Sequence, residues 1–103
     1  MSLTKIKASE LEKLLEDEEL NIVEASVATW PYWKKIPDKL FNLLNLKKLI
    51  FCNMHIEIPD YIDILMNLES LGLCHNSIKH LNPAIYNLKN LRELDLEKNC
   101  IEV

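Results

Sequence analysis

Apolar and polar positions follow nearly the same order in three short stretches of the chain. Each stretch has Leu or Phe at its first, fourth and sixth positions, in the sequences LKKLIF from Leu46, LESLGL from Leu68 and LRELDL from Leu91. Alternating apolar positions are typical of a strand with one buried face. Because the stretches start 22 and then 23 residues apart, they predict a stack of repeats, each adding one strand.

The residue after each strand fixes the alignment of the units. Asn76 and Asn99 stand at the same place in the last two units, where an amide side chain can bond backbone groups at a bend. In the first unit, Met54 falls at this place if the apolar spacing is kept. The alternative aligns Asn53 with Asn76 and shortens the strand. We favour Met54, because the alternative turns an apolar side chain outward.

The first 29 residues are predicted to form an N-terminal cap. Ser9 to Glu12 is a capping-box pattern, so we expect an amphipathic helix over about 9–20 that covers the first strand edge. A degenerate first strand is expected at about 21–27, with Val23 and Ala25 inward. Residues 30–103 then form the repeats, within one domain. The aromatic run Trp30 to Trp33 is expected to plug the first repeat, or else to form a second interface.

The repeat unit resembles a known family. Residues 36–103 follow the pattern I-P-x-x-I-x-x-L-x-N-L-x-x-L-x-L-x-x-N-x-I, and residues 20–35 follow it weakly. This pattern is similar to the intracellular 23-residue class of leucine-rich repeat. The resemblance implies an α/β solenoid with about three regular repeats and one degenerate one, parallel strands on its concave face and an N-terminal helical cap. It also implies a noncatalytic adaptor, scaffold or regulatory subunit that holds a protein partner on that face.

Strand positions that alternate away from the core are the candidate binding residues. They are Lys48, Ile50, Cys52, Asn53, Ser70, Cys74, His75, Glu93, Asp95, Glu97 and Lys98. Three of them, Glu93, Asp95 and Glu97, form an acidic stripe, which predicts docking of a basic patch on the partner. The alternative is a solvated strand face without a binding role.

Charge, apolar runs and cysteine content indicate which partners and which cellular compartment to expect. The formal net charge is −4 and no basic stripe is present, so nucleic acid is not expected as a partner. No apolar run is long enough for a membrane span or a signal peptide, which predicts a cytoplasmic or nuclear protein without membrane association. The cysteines at 52, 74 and 100 are scattered, so reduced thiols are expected.

Catalysis is a weaker hypothesis. Cys52, Cys74 and His75 would lie together on neighbouring strands, which suggests a metal site, a redox-sensitive thiol pair or a thiol nucleophile. A structural zinc site needs four ligands, and a nucleophile needs a third orienting group and a sheltered cleft. We therefore expect no enzyme activity, metal or cofactor.

The last strand suggests a further use. After Asn99 the sequence has only Cys100 to Val103, and no capping segment follows. Leu94, Leu96 and Ile101 would then lie at the end of the core, beside an unpaired strand edge. The alternative function is therefore an assembly element, in which this repeat forms a homodimer or continues into a longer chain.

Overall fold

The strands form a single parallel sheet. The computed structural model describes residues 2–6, 10, 13–17, 21–27, 38–51 and 57–101. Within them the five strands are β1 (Ser2–Ile6), β2 (Glu24–Val27), β3 (Lys48–Phe51), β4 (Ser70–Gly72) and β5 (Glu93–Asp95). They lie side by side in sequence order, and every pairing is parallel. The predicted parallel sheet is confirmed.

Short 3₁₀ helices carry the chain back between strands. They are η1 (Asp38–Asn42), η2 (Ile62–Ile64) and η3 (Pro83–Asn87). Pro83 begins η3, where its fixed backbone angle suits the first turn and its missing amide proton costs nothing. The side chain of Asn82 caps this helix by accepting a hydrogen bond from the backbone N–H of Ala84, at 2.9 Å.

The core lies between the sheet and the 3₁₀ helices. The strand register aligns Leu49 with Leu71 and Leu71 with Leu94, so inward side chains stack along the repeats. The fully buried large side chains are Phe51, Ile22, Leu40, Leu46, Leu49, Ile62, Leu65, Leu68 and Leu71. The apolar positions of the predicted unit therefore form the core.

The degenerate first unit has a different register from the one predicted. Ala25 pairs with Leu49, whereas the predicted alignment places Val23 there. Val23 is half-buried at a bend, and its carbonyl accepts from the backbone N–H groups of Lys47 and Lys48. Ile22 alternates with Val23, so it was predicted to point outward, but it is fully buried. A shift of two residues preserves which strand residues point inward, so Ala25 is buried as predicted.

The N-terminal edge is covered by a strand. β1 pairs with β2, with Ser2 opposite Glu24 and Leu3 opposite Ala25. The predicted strand at 21–27 is therefore the second one, and the sheet edge that a helix was expected to cover is paired with β1. This strand was missed because its sequence, SLTKI, contains too little alternation to distinguish it from a polar tail.

Only part of the predicted helix at 9–20 is described. Glu10, Lys13 and Leu14 are helical, and the chain turns at Leu15 and Glu16. Leu15 is buried in the core and Leu14 packs against it, as expected for the apolar face of an amphipathic segment. The remaining residues lie outside the described ones, so the helical cap stays a prediction. A search of the described residues finds no helix long and apolar enough to cross a membrane.

Candidate functional site

The side of the sheet that faces away from the core holds the predicted binding residues. We call it the outer sheet face and define it by two rows of described residues that cross β3, β4 and β5. One row contains Lys48, Ser70 and Glu93, and the other contains Ile50, Gly72 and Asp95. The strand register therefore brings six residues into a continuous surface, five of which are predicted binding positions.

A shallow depression lies at the centre of the outer sheet face. Its volume is about 410 Å³, and it is lined by Lys48, Ile50, Ser70, Leu71, Gly72, Glu93, Leu94 and Asp95. Its lining includes one cation, two acids and apolar groups, with no buried catalytic group among them. Such a surface is suited to binding and offers little for chemistry.

Gly72 shapes this depression through its missing side chain. A Cβ atom at this position would lie 3.2 Å from both Cγ1 and Cγ2 of Ile50. The Ile50 side chain therefore packs directly over the Gly72 backbone and forms an apolar floor. The sequence prediction included Ile50 among the binding residues and left out Gly72.

The acidic stripe lies at the β5 end of the outer sheet face. Glu93, Asp95 and Glu97 are all exposed. Oδ1 of Asp95 accepts a hydrogen bond from the backbone N–H of Glu97 at 3.0 Å, which fixes the orientation of that carboxylate. Like charges on one strand face repel each other unless a cation lies between them. The stripe is therefore an exposed acidic surface in which the carboxylate of Asp95 is held by the backbone.

His75 and Lys98 lie at equivalent positions in the turns that follow β4 and β5. Both residues are exposed and have left-handed backbones, with φ of 57° and 59°. The backbone N–H of His75 donates to the carbonyl of Glu97 at 3.0 Å, which continues the strand pairing into the turns. Left-handed φ is costly for residues other than glycine, so these turns are held by their surroundings.

The structure describes Cys74 and Cys100. Cys52 and Asn53 lie outside the described residues, as does Met54, so the proposed alignment of the first unit is not tested. Cys74 is disulfide-bonded, and the expectation of reduced thiols is wrong for this residue. Cys100 is free and exposed, as expected. Among the described residues, no group of three or more His, Cys, Asp or Glu side chains is placed to hold a metal ion.

An asparagine ladder holds the strand ends of successive units together. Asn76 is buried, and its Nδ2 donates to the carbonyl of Phe51 at 2.7 Å. The equivalent Nδ2 of Asn99 donates to the carbonyl of Leu73 at 2.8 Å. The Oδ1 of Asn99 accepts from two backbone N–H groups of the preceding unit. The predicted role of the asparagines at 76 and 99 is confirmed.

A second asparagine ladder runs along the other end of the strands, and the sequence analysis missed it. Nδ2 of Asn67 donates to the carbonyl of Leu44 at 2.8 Å, and Nδ2 of Asn90 donates to that of Met66 at 2.9 Å. At the same place, Nδ2 of Asn45 donates to an Asn side chain in the preceding unit. The signal is in the sequence, since each of these residues directly precedes the first Leu of a strand stretch.

An aromatic pair lies on the surface formed by the 3₁₀ helices. The rings of Phe41 and Tyr61 meet edge to face with centroids 4.8 Å apart. The Tyr61 hydroxyl donates to Oδ1 of Asp38 at 3.1 Å. This hydrogen bond, with smaller contributions from burial and from the Asp38 charge, raises the pKa of Tyr61 above its ordinary value. The other aromatic cluster, at residues 30–33, lies outside the described residues.

The last strand exposes side chains that are buried in the unit before it. Leu94 is 38% exposed, whereas its equivalent in β4, Leu71, is 1% exposed. Leu91, Leu96 and Ile101 are only partly buried as they pack against the core. β5 lies at the edge of the sheet among the described strands. The structure therefore presents an apolar end face beside the acidic stripe.

Comparison with known families agrees with this architecture. Residues 66–103 match the family model described as Leucine rich repeat. Residues 66–103 therefore have leucine-rich repeats, and this segment contains β4, β5 and the ladder residues Asn76 and Asn99. Domains of this family generally mediate protein–protein interaction and are typically not enzymes.

Proposed function

We propose that this protein is a noncatalytic interaction module that binds a partner protein on the outer sheet face. The proposal rests on one observation, that the two rows of the outer sheet face surround a shallow depression. One row contains Lys48, Ser70 and Glu93, and the other contains Ile50, Gly72 and Asp95. An apolar floor with polar groups at its margins is the usual composition of a protein interface. The family match over residues 66–103 supports the same class of function.

The charge distribution indicates what the partner carries. Among the described residues, Lys48 is the one cation that lines the depression, while Glu93 and Asp95 are acids in its lining. Glu97 adds a further acid beside Asp95. We propose that the partner places an apolar side chain over Ile50 and a Lys or Arg side chain on the acidic stripe. The stripe would also accelerate association at low salt and give a salt-dependent affinity.

Removal of charge without change of shape tests this proposal. In the double variant Asp95→Asn, Glu97→Gln, the Asn oxygen can still accept the backbone hydrogen bond. The wild type and this variant are used to capture proteins from lysate, and the isolated partner is then titrated by calorimetry. We expect the variant to bind at least about tenfold more weakly, a loss of about 1.4 kcal/mol.

A matched control separates the stripe from net charge. Glu10 and Glu57 are exposed and lie outside the strands, so Glu10→Gln, Glu57→Gln makes the same change of net charge elsewhere. This control is expected to bind the partner as the wild type does. Equal affinity of the two double variants would show that the stripe is not part of the interface.

The exposed end of the sheet favours a second candidate function. Assembly through the β5 repeat would bury the part of Leu94 that the core leaves exposed and extend the parallel sheet. Sedimentation of the purified chain over a range of concentrations tests it. A mass that rises with concentration supports self-assembly, and a monomer at all concentrations leaves pairing with another polypeptide or with further repeats of a longer chain.

The cellular compartment is also a proposal. We propose a cytoplasmic or nuclear location, together with membership of the intracellular 23-residue class, from the sequence pattern. The disulfide at Cys74 instead favours an oxidising compartment. Alkylation with a mass tag in fresh lysate distinguishes these locations. Modification of all three cysteines supports the cytoplasm, and protection of Cys74 contradicts it.

A further inference from the structure

A pocket at the start of the strands brings three cations together. Its volume is about 450 Å³, and its lining includes Lys47, Asn67, Glu69, Lys89, Asn90 and Arg92. Lys47 directly precedes β3, whereas Lys89 and Arg92 precede β5, so the cations come from units that are separated by the unit of β4. The formal net charge of the chain is −4. The fold therefore creates a local positive region that the order of the residues does not reveal.

The strand register holds the charged residues of this pocket in a row. The backbone N–H of Glu69 donates to the carbonyl of Lys47 at 2.7 Å, and that of Arg92 donates to the carbonyl of Glu69 at 2.8 Å. Neighbouring strands lie about 4.8 Å apart, so Lys47, Glu69 and Arg92 occupy successive positions at that spacing. Lys89 lies in the turn that leads to β5. The backbone of the row is therefore fixed, and the long cationic side chains can converge on one ligand.

The pocket has a surplus of positive charge. Lys47, Lys89 and Arg92 are exposed, and Glu69 is half-buried. Within the part of the chain that the structure describes, none of these three cations forms an ion pair. Three cations and one acid give the lining a net charge of +2. A phosphate monoester carries a charge of about −1.5 to −2 at pH 7, so it balances this surplus, whereas one carboxylate balances only half of it.

The hydrogen-bond donors of the pocket also match a phosphate. The planar guanidinium of Arg92 can bond two phosphate oxygens at once, and a Lys adds a point charge. Nδ2 of Asn67 donates to the carbonyl of Leu44, and Nδ2 of Asn90 donates to that of Met66. A side-chain amide has two N–H donors, so each of these asparagines has a second one. The second asparagine ladder therefore supplies neutral donors at fixed positions.

A solvated charge network is the alternative interpretation. Glu69 has a cation on each side in the row, and opposite charges at cross-strand positions attract each other. Exposed ion pairs contribute little to stability, however. The two interpretations predict opposite roles for Glu69. In a charge network the acid holds the cations together, whereas in an anion site it repels the ligand.

We propose that this pocket binds a phosphate monoester, carried either on a side chain of another protein or on a small molecule. Lys47 and Arg92 bind the phosphate oxygens from the two ends of the row, Lys89 adds a third cation, and Asn67 and Asn90 donate from the second ladder. No residue lines both this pocket and the depression on the outer sheet face, so the site goes beyond the proposed partner binding. A further repeat after β5 would extend the row without replacing any of these residues.

Titrations of the full chain with defined probes, followed by ¹⁵N–¹H NMR, test the site. The probes are inorganic phosphate and the peptide Ala-Ala-phosphoserine-Ala-Ala, and the control peptide has Glu in place of phosphoserine. We expect the phosphopeptide to shift the amide resonances of Asn67, Glu69, Asn90 and Arg92, and to bind at least about tenfold more tightly than the Glu peptide. Tighter binding of the phosphopeptide than of inorganic phosphate assigns the site to a protein side chain. Equal or tighter binding of inorganic phosphate assigns it to a small molecule.

Substitutions separate the site from the net charge of the chain. Arg92→Gln and Lys47→Gln are each expected to weaken phosphopeptide binding at least about fivefold, because a charge-assisted contact is lost. Glu69→Gln is expected to strengthen it about threefold, because a repelling charge is removed. Lys79→Gln removes an exposed cation outside the pocket and is expected to leave the affinity unchanged. The NMR spectrum of each variant also shows whether it is folded.

Four results would overturn the proposal. They are absence of binding of both phosphates at millimolar concentration, equal affinity for the phosphopeptide and the Glu peptide, equal effects of Lys47→Gln and Lys79→Gln, and weaker binding by Glu69→Gln, which the charge network predicts. The variant Asp95→Asn, Glu97→Gln, which tests the outer sheet face, should bind the phosphopeptide as the wild type does. Failure of that proposed function is therefore distinguishable from failure of this one.

Discussion

Removal of the Asn99 side-chain amide should cost a large part of the stability of the fold. Oδ1 of Asn99 accepts from the backbone N–H groups of Asn76 and Ile78, each at 3.0 Å. Its Nδ2 donates to the carbonyls of Leu73 and Leu96, at 2.8 and 3.0 Å. Three of these four partners belong to the preceding unit. The change Asn99→Ala therefore removes the contacts that fix one turn to the next.

The magnitude follows from the number of hydrogen bonds and from burial. A hydrogen bond in a protein contributes about 0.5–1.5 kcal/mol net, and a buried group left without a partner costs about 1–3 kcal/mol. Asn99 is only half-buried, so water can replace some of its contacts. We expect Asn99→Ala to lower the free energy of unfolding by about 2–4 kcal/mol. A chain of this size has about 5–15 kcal/mol in total.

Urea denaturation at 25 °C, followed by far-UV circular dichroism, measures this loss. The matched control is Asn90→Ala, at the other ladder, where Nδ2 of Asn90 donates to the carbonyl of Met66 and the residue is exposed. It should cost less than about 1 kcal/mol, because one exposed hydrogen bond is exchanged for bonds to water. If the two variants lose the same stability, the number of hydrogen bonds and their burial do not determine the cost.

Three further changes test separate features of the fold. Leu71→Ala should cost about 2–5 kcal/mol because Leu71 is 1% exposed, whereas Leu94→Ala at the equivalent, 38% exposed position should cost less than half as much in the same urea assay. Lys98→Gly should raise stability by about 1 kcal/mol, measured as a higher Tm, because φ at this residue is 59°; a lower Tm would contradict this account of the turn. The raised pKa of Tyr61 means that its contribution to stability is present below the ordinary tyrosine pKa and is lost as the pH rises through the folded value. An absorbance titration at 295 nm should show late titration of Tyr61, and Asp38→Asn should lower its pKa; no change would remove the Asp38 contact as the cause.

The regular units could be predicted from sequence because their inward positions alternate and repeat. Leu49, Leu71 and Leu94 were aligned by spacing alone, and the strand register agrees. The ladder role of Asn76 and Asn99 followed from their place after a strand. Because these features repeat from unit to unit, the alignment of each unit supports the alignment of the others.

The first unit could not be predicted so well because nothing repeats there. Ala25 and Val23 are both small apolar residues at alternating positions, so two registers fit the same pattern. Only the pairing of Ala25 with Leu49 distinguishes them. β1 lacks the repeated Leu spacing altogether, and its role as an edge strand depends on a partner that is more than twenty residues away in sequence.

The candidate site was likewise predicted only in part. Outward positions follow from strand parity, so the sequence identified Lys48 and Asp95 as surface residues of the sheet. The depression between them depends on the packing of Ile50 over Gly72, and that requires knowledge of which strand lies beside which.

The two asparagine ladders have a consequence for how such a chain can change length. Each ladder amide bonds a backbone group that lies 21 to 26 residues earlier in most of its contacts. Insertion of a few residues within one unit would change the separation between the ladder amides that follow it and their partners in the preceding unit. Duplication of a whole unit, from one ladder Asn to the next, would supply each new amide with an equivalent carbonyl. The fold can therefore grow by complete repeats, and a tandem copy of residues 76–98 would supply each new ladder amide with an equivalent partner.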